Sequence, residues 1–314
     1  MSEKRGFVLA LSGGIGGAKL ALGLARVLPQ GALTVVANTG DDFEHLGLQI
    51  SPDLDTLLYT LAGIHNPATG WGRRDETWTF MAALATLGGE TWFKLGDGDL
   101  ATHVERTRRR RAGENLSTVT DDFCRRLGIS TRLLPMSDDP VRTRLSTDEG
   151  WLDFQDYFVH RRCAPAVRAI VFDGATIARP QPEFIAALAD DDLRMVVICP
   201  SNPLISIDPI LALDGVRDAL RACRAPVVAV SPIIGGKAVK GPTAKMMAEL
   251  GLPVDAGSVA RHYGDILDHY IIDESDLAGV GGLDAATIAA RTLMEDIADR
   301  EALARVVLSA GRGM

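Results

Sequence analysis

At 314 residues, 46% of them hydrophobic, the chain can bury one large core or two smaller ones and is too apolar for a disordered polymer. A formal charge of -8 and a pI near 5.3 offer no concentrated basic surface for nucleic acid. A few placed cations, or a magnesium ion, can still receive a phosphorylated small molecule.

Residues 7–12 are a short apolar run suited to a buried parallel strand, followed by glycines and the helical pattern KLALGLARVL. LTVVA at 33–37 supplies the next buried strand, so the chain opens as an α/β sheet covered by helices. Pro52 marks a helix entry before DLDTLLYTLAG, and Asp53 and Asp55 suit its positive end. A helix is expected over 73–87, with Trp78, Met81, Ala82 and Ala85 on its apolar side. Residues 99–112 are strongly charged, and 117–127 form a further helix with Val119, Phe123 and Leu127 on one stripe.

The stretch 131–162 is less regular, and a small insertion over the sheet is expected at 131–166. The α/β rhythm then resumes. Strands at 168–172, 194–200, 225–232 and 267–272 alternate with helices near 181–189, 216–223, 242–250 and 257–263. A helix is expected over 284–299 and a last short element over 303–309. No repeat, low-complexity tail or flexible linker interrupts this order. The expected architecture is a single compact domain over 1–314, a Rossmann-like three-layer αβα body with a mainly parallel sheet and a smaller insertion.

Four scattered cysteines, Cys124, Cys163, Cys199 and Cys223, form neither a zinc knuckle nor a disulfide framework, and Cys199 after MVVI reads as buried packing. No charged leader precedes a signal-like apolar segment, and every apolar run is broken before spanning length. A cytoplasmic protein with no membrane partner is the expectation.

Ser12, Gly13, Gly14, Ile15, Gly16 and Gly17 follow a strand and open a helix. Absent β-carbons let backbone amides approach phosphate, and the helix start adds positive partial charge. The dinucleotide spacing fails at its last glycine, which is Lys19, and Ala18–Lys19–Leu20 lacks the ending of an ATPase loop. Phosphate binding by Gly13, Gly14, Gly16 and Gly17 therefore rests on the strand–loop–helix context. Lys19 either reaches that phosphate or faces solvent.

Asn38–Thr39–Gly40–Asp41–Asp42 follows the second strand, where Asp41 or Asp42 can offer oxygen to magnesium and Asn38 can orient ribose or phosphate. Magnesium needs only one or two protein carboxylates when water and substrate phosphate complete its shell. A plain aspartate turn is the competing reading. Asp53 reads as a helix cap, leaving Asp55 in the first turn to bind metal or prepare a hydroxyl. Lys94–Leu95–Gly96–Asp97–Gly98–Asp99 is a third compact loop, in which Lys94 can stabilise phosphate and Asp97 or Asp99 can hold a hydroxyl or metal water.

Taken together, these segments resemble the 2-phospho-lactate transferase family of deazaflavin-coenzyme (coenzyme F-420) biosynthesis. The resemblance lies in LSGGIGGAKLALGL at 11–24, NTGDD at 38–42, SPDLDTLLYTLAG at 51–63, GWGRRDETW at 70–78 and KLGDGDLATH at 94–103. It continues through RTRRRRAGENLSTVT at 106–120, LLPMSDDPVRT at 133–143, FQDYFV at 154–159, CPSNPLISIDPI at 199–210 and AVSPIIGGKAVKGPTAKMM at 229–247. It implies transfer of a phosphorylated three-carbon acid unit (phospholactyl, phosphoenolpyruvyl or phosphoglyceryl) from a guanylylated diphosphate donor to 7,8-didemethyl-8-hydroxy-5-deazariboflavin. GMP leaves, Mg2+ assists, and a homodimer is implied.

Carried over residue by residue, the resemblance makes Asp55 the acceptor-site and metal-linked carboxylate, Asp41 the second metal and catalytic candidate, and Lys94 an acceptor-pocket residue. Gly13, Gly14, Gly16 and Gly17, with Ser201, Asn202 and Pro203, become the guanosine-diphosphate side. The family pattern often has arginine at the position of Gly98, which puts a direct role for that loop in doubt.

The remaining polar segments carry less. Pro135–Met136–Ser137–Asp138–Asp139–Pro140 and the lysines Lys237 and Lys240 are candidate substrate contacts. Trp71, Trp78 and Trp92 are candidate walls of an acceptor pocket. His103 reads as structural, and Arg106, Arg108, Arg109, Arg110 and Arg111 read as a solvated helix face. The competing functions are a nucleotide-binding regulator like the gluconeogenesis-factor branch and a donor hydrolase.

Overall fold

Residues 6–239 and 241–311 are described by the computed structural model. The first apolar run forms β1 (Phe7–Ser12), which lies inside the sheet and alternates between two buried faces. Val8 and Ala10 enter one hydrophobic layer, Leu9 and Leu11 the other. A strand buried on both sides needs no polar alternation, so it reads as a continuous apolar run. The chain continues through α1 (Gly14–Val27) and β2 (Leu33–Ala37), then a short hairpin of β3 (Phe43–His45) and β4 (Leu48–Ile50). The helices α2 (Pro52–Leu61), α3 (Thr79–Thr86), α4 (Asp97–Arg111) and α5 (Leu116–Arg126) precede β5 (Arg132–Pro135).

A small antiparallel sheet follows, ordered β7-β6-β8, from β6 (Arg142–Thr147), β7 (Gly150–Asp153) and β8 (Val167–Asp173). Beyond it come α6 (Pro182–Leu188), β9 (Leu193–Ile198), α7 (Asp208–Leu211), α8 (Val216–Ala222) and β10 (Val227–Val230). The hairpin β11 (Ile233–Ile234) and β12 (Lys237–Ala238) leads to α9 (Thr243–Glu249) and α10 (Ala256–Tyr263). The chain closes with β13 (His269–Asp273), β14 (Ala286–Ala290) and α11 (Ile297–Ala310).

The main sheet has the order β14-β13-β10-β9-β1-β2-β5, and all its pairings are parallel. Helices α1, α2 and α11 cover one face, while α6, α8 and α10 cover the other. The expected α/β body with a mainly parallel sheet is therefore present. A third apolar cluster of Ile50, Met81 and Leu95, with Phe43, Phe80 and Phe93 against it, packs the β3–β4 hairpin onto α3 and α4.

Four expectations for single elements are corrected. Residues 284–299 are not a helix: β14 pairs in register with β13 from His269↔Ala286 to Asp273↔Ala290. The free edge of β13 supplies a ladder that outweighs the local helix preference of the alanines. The last helix starts only at Ile297, where Asp296 and Asp299 form a capping box, so 303–309 is its interior.

Residues 73–78 precede α3 as a loop, because Arg73 and Glu76 are spent on the start of α4. Arg73 Nη1 donates to Gly98 O at 3.1 Å, and Glu76 accepts from Gly98 N and Asp99 N, each at 2.7 Å. The expected apolar side of that helix is also mostly solvent-facing, with Met81 buried and Ala82 and Ala85 exposed. Finally, β8 pairs with β6 rather than joining the parallel sheet, and β5, from the less regular stretch, is the sheet's edge beside β2.

Candidate active site

Chain order reverses between β1 and β9: the sheet grows through β2 and β5 on one side and through β10, β13 and β14 on the other. Ligands of open parallel sheets bind at the carboxyl ends of strands at such a reversal. Here the glycine loop leaves β1 and Ser201 follows β9. Gly13 N donates to Ser201 Oγ at 3.1 Å, and that hydroxyl donates back to Gly13 O at 2.6 Å. Gly14, at φ +61°, turns the chain into α1, and a β-carbon on Gly16 would strike the Pro200 carbonyl oxygen. The first turn of α1 holds no acidic residue and its N-cap makes no side-chain bond, so its amides beyond Gly14, whose own N–H meets Asp53, can meet an anion. Gly13, Gly14 and Gly16 line the cavity in front of this loop. Gly17 sits behind it, packed on the hydroxyls of Ser12 and Ser201.

The acidic loop after β2 comes to the same place. Asn38 is fully buried, and its amide nitrogen donates to Asp53 Oδ2 at 2.9 Å and Asp41 Oδ1 at 3.3 Å. Its oxygen accepts from Gly40 N at 2.8 Å, so Asn38 holds the two carboxylates together. Burial, then the charges of Asp53 and Asp42, raise the Asp41 carboxyl well above its ordinary range. Burial likewise raises Asp53, against hydrogen bonds from Asn38 and the Gly14 amide. Two mutually repelling carboxylates beside the glycine loop suit a shared cation. Among the described residues no group of three or more His, Cys, Asp or Glu side chains is placed to hold a metal. Asp42 turns the other way: it accepts from Ser51 Oγ at 2.7 Å, and burial pushes its carboxyl up to about 7.

Asp55 lies two residues from Asp53 but in a different environment. Both its oxygens are taken by Arg106: Nη1 donates to Oδ2 at 3.0 Å and Nη2 donates to Oδ1. The structure thus pairs Asp41 with Asp53, not with Asp55. Arg106 is 1% exposed, which overturns the reading of the arginine run as a solvated face. Arg109 binds Glu114 and Asp122 and Arg110 donates to Glu114 O, while Arg108, paired with Glu105, and Arg111, donating to Gly47 O, are the exposed members. His103 is buried beside them, with Nδ1 3.6 Å from Asp55 Oδ2 and Nε2 3.2 Å from Asp99 Oδ2. Tyr59 OH donates to Asp99 Oδ1 at 2.6 Å. Asp99, His103 and Arg106 recur on one face of α4, a spacing of four and three that could have revealed the cluster.

These groups open onto one cavity of about 830 Å³. Trp71, Trp92, Phe93, Phe154 and Phe158 contribute its aromatic wall, and Trp92 stacks on His160 at 5.2 Å. Lys94 is exposed on this wall, and Ser201 and Asn202 line it as well. Lys19 also lines it, with its Nζ donating to Met294 O at 2.6 Å. Other sequence candidates serve the scaffold. Pro203 is buried at the start of a π-helical turn, and Asp97 caps α3 through Thr79 N and Phe80 N. Asp138 accepts from Ser117 N and Asp139 from Arg179 N, beside a separate 210 Å³ cavity. Trp78 and Lys237 are exposed away from the main cavity, and Lys240 falls outside the described residues.

A family model described as 2-phospho-L-lactate transferase CofD matches residues 8–305. A phosphoenolpyruvate transferase of Kitasatospora aureofaciens is 44% identical over 312 residues, which cover 96% of this chain and 97% of that protein. Another, from Mycobacterium marinum, is 41% identical over 320 residues and 95% of each chain. Among solved structures, a UPF0052-family protein from Bacillus halodurans superposes with a TM-score of 0.64 at 14% identity. That match covers 97% of this chain and 99% of the other, a likeness of fold alone.

Proposed function

Since the chain belongs to the 2-phospho-L-lactate transferase CofD family, whose reaction is the transfer of phosphorylated acid units, we propose that it moves a phosphoenolpyruvyl unit. The donor is a guanylylated diphosphate, the acceptor 7,8-didemethyl-8-hydroxy-5-deazariboflavin, and the leaving group GMP. Full-length similarity to proteins named phosphoenolpyruvate transferases supports the choice among the three acid units. The observation that carries the reading is a single cavity in which a glycine loop, a carboxylate pair and an aromatic wall converge. At about 830 Å³ it has the size of a site for a sizeable organic ligand.

Magnesium fits Asp41 and Asp53, which face the loop as two buried carboxylates whose charges repel. When bound, the ion offsets charge on the donor diphosphate. The loop amides and Ser201 hold the guanosine-diphosphate side, with Asn202 beside them. Lys94 and the aromatic wall receive the acceptor, and Asp55, fixed by Arg106, orients it. Positioning and electrostatics then supply much of the acceleration.

The proposal extends to a cytoplasmic homodimer. Among the described residues no helix is long and apolar enough to cross a membrane. Sedimentation of the purified protein tests the dimer, and a monomer at micromolar concentration speaks against it.

The test of function is direct. Purified protein, magnesium and the deazaflavin acceptor are incubated with each of the three donors, and the acceptor product is weighed by mass spectrometry. The expected result is GMP release and the phosphoenolpyruvyl product. A folded protein that elongates the acceptor with none of the donors rejects the transferase reading; elongation by the phospholactyl donor alone rejects only the donor assignment.

A further inference from the structure

Among the described residues four carboxylates line the cavity: Asp41, Asp53, Asp55 and Asp99. Three have partners that fix their use. Asp41 and Asp53 face each other through the Asn38 amide, and Asp55 has both oxygens on the Arg106 guanidinium. Asp55 thus has each oxygen turned to a guanidinium nitrogen inside the protein.

Asp99 differs. Its oxygens meet a neutral donor, Tyr59 OH, and an imidazole, His103. A carboxylate has about four lone-pair sites, so each oxygen keeps room for a hydroxyl from the cavity. Its side chain is 13% exposed, while that of His103 behind it is 2% exposed. The backbone is fixed as well, since Asp99 N donates to Glu76 Oε1 at 2.7 Å and Arg73 holds the preceding carbonyl.

We propose that Asp99 accepts the proton of the attacking acceptor hydroxyl, oriented by Tyr59 and His103. The assignment rests on the transferase reading above. In the step, the terminal ribityl oxygen forms a bond to the phosphorus that carries the acid unit. The bond from that phosphorus to the bridging oxygen breaks, and GMP departs with the oxygen and the electron pair. The hydroxyl proton passes to Asp99 and is then released to solvent or to the GMP phosphate.

The groups facing Asp99 are Tyr59 and Asp55 from α2, His103 and Arg106 from α4, and Arg73 and Glu76 from the preceding loop. Burial works to raise its carboxyl, and the hydrogen bonds of His103 and Tyr59 with the charges of His103 and Arg106 outweigh it, so Asp99 stays below the ordinary carboxylate range. It is thus ionised at neutral pH. It receives the hydroxyl's hydrogen bond in the ground state and takes the proton once bond formation to phosphorus makes that oxygen acidic.

Asp99→Asn and Asp99→Ala test the assignment with intact protein and the donor that supports turnover. A positioned base is worth roughly 100- to 10,000-fold, so kcat of the Asn variant should fall by at least about 100-fold. Acceptor affinity by calorimetry should stay within about threefold, and added formate should restore part of the activity of the Ala variant. Retained kcat, a loss confined to acceptor affinity, or no formate rescue overturns the proposal. If neither variant folds, the nearly isosteric Tyr59→Phe decides: a kcat lowered about tenfold at unchanged acceptor KM supports it, and an unchanged kcat refutes it. Wild-type protein inactive with every donor would sink the transferase reading itself, whereas an active wild type with an equally active Asp99→Asn sinks only this role.

Discussion

Replacing Arg106 by Met should destabilise the fold as well as the site. The side chains of Arg106 and Asp55 are 2% and 6% exposed, so methionine leaves a carboxylate almost out of water with its cation gone. Breaking a buried pair from one side costs about 3–5 kcal/mol. With an unfolding entropy of about 2.1 cal/mol/K per residue, that loss lowers the melting temperature of a chain this long by roughly 5–8 °C. Asp55 borders the solvent-filled cavity, so the lower end of that range is expected.

Asp55→Asn should cost a similar amount by stranding the guanidinium, and the double variant should cost little more than either alone. The control is Arg108→Ala: its partner Glu105 and its own side chain are 43% and 65% exposed, and such a surface pair is worth about 0–1 kcal/mol. Calorimetry and denaturant titration of the four proteins measure the cycle. An Arg106→Met protein melting within about 1 °C of wild type, or a double variant at the sum of the singles, refutes a buried, mutually dependent pair.

Three further expectations concern the site. Burial raises the Asp53 carboxyl to about 6, and Asp41 shifts the same way. The metal-free native state therefore binds more protons than the unfolded chain in mildly acidic solution, and this contribution to stability is present at low pH and lost as pH rises through about 6. Added magnesium should reverse the loss at neutral pH and release protons, and calorimetry in two buffers that shows neither effect would remove the ion from this pair. Gly16→Ala should push the glycine loop off the Pro200 carbonyl oxygen, costing about 1–3 kcal/mol and weakening donor binding; donor affinity equal to wild type counts against loop contact with the diphosphate. Trp92→Ala should raise the acceptor KM several-fold, in line with about 0.5–1.5 kcal/mol for an aromatic contact, and leave kcat within about twofold, whereas an unchanged KM moves the acceptor off this wall.

The parallel core was legible because its strands are buried on both faces and its helices start at visible signals. Residues 7–12, 33–37 and 194–200 needed only apolar continuity, and Pro52 marked the entry of α2. That Asp41 borders the cavity was legible from its place after a strand. What sequence reasoning missed depends on partners far along the chain. Asp53 read as a cap because nothing local shows that Asn38, fifteen residues earlier, bridges it to Asp41. Arg106 read as solvated because its neighbours are arginines, while its partner lies 51 residues away in α2. β14 read as helix because its alanines suit either state and only the edge of β13 decides.

The two aspartates of the PDLDT segment show how one short stretch can serve two purposes. Residues two apart on a helix point about 200° apart, so Asp53 and Asp55 cannot share a neighbour on one side of α2. Asp53 turns to the glycine loop, where the Gly14 amide and Asn38 hold it beside Asp41. Asp55 turns to α4, and Tyr59, one turn further on, extends that side to Asp99. Helix α4 answers with Asp99, His103 and Arg106 at matching one-turn intervals. Four carboxylates can crowd one cavity because a buried guanidinium neutralises Asp55 and a tyrosine with an imidazole brackets Asp99. The repulsion left unrelieved is concentrated on Asp41 and Asp53, the pair beside the glycine loop. A cation is the species that would relieve both repulsions at once, between the carboxylates and between them and the donor.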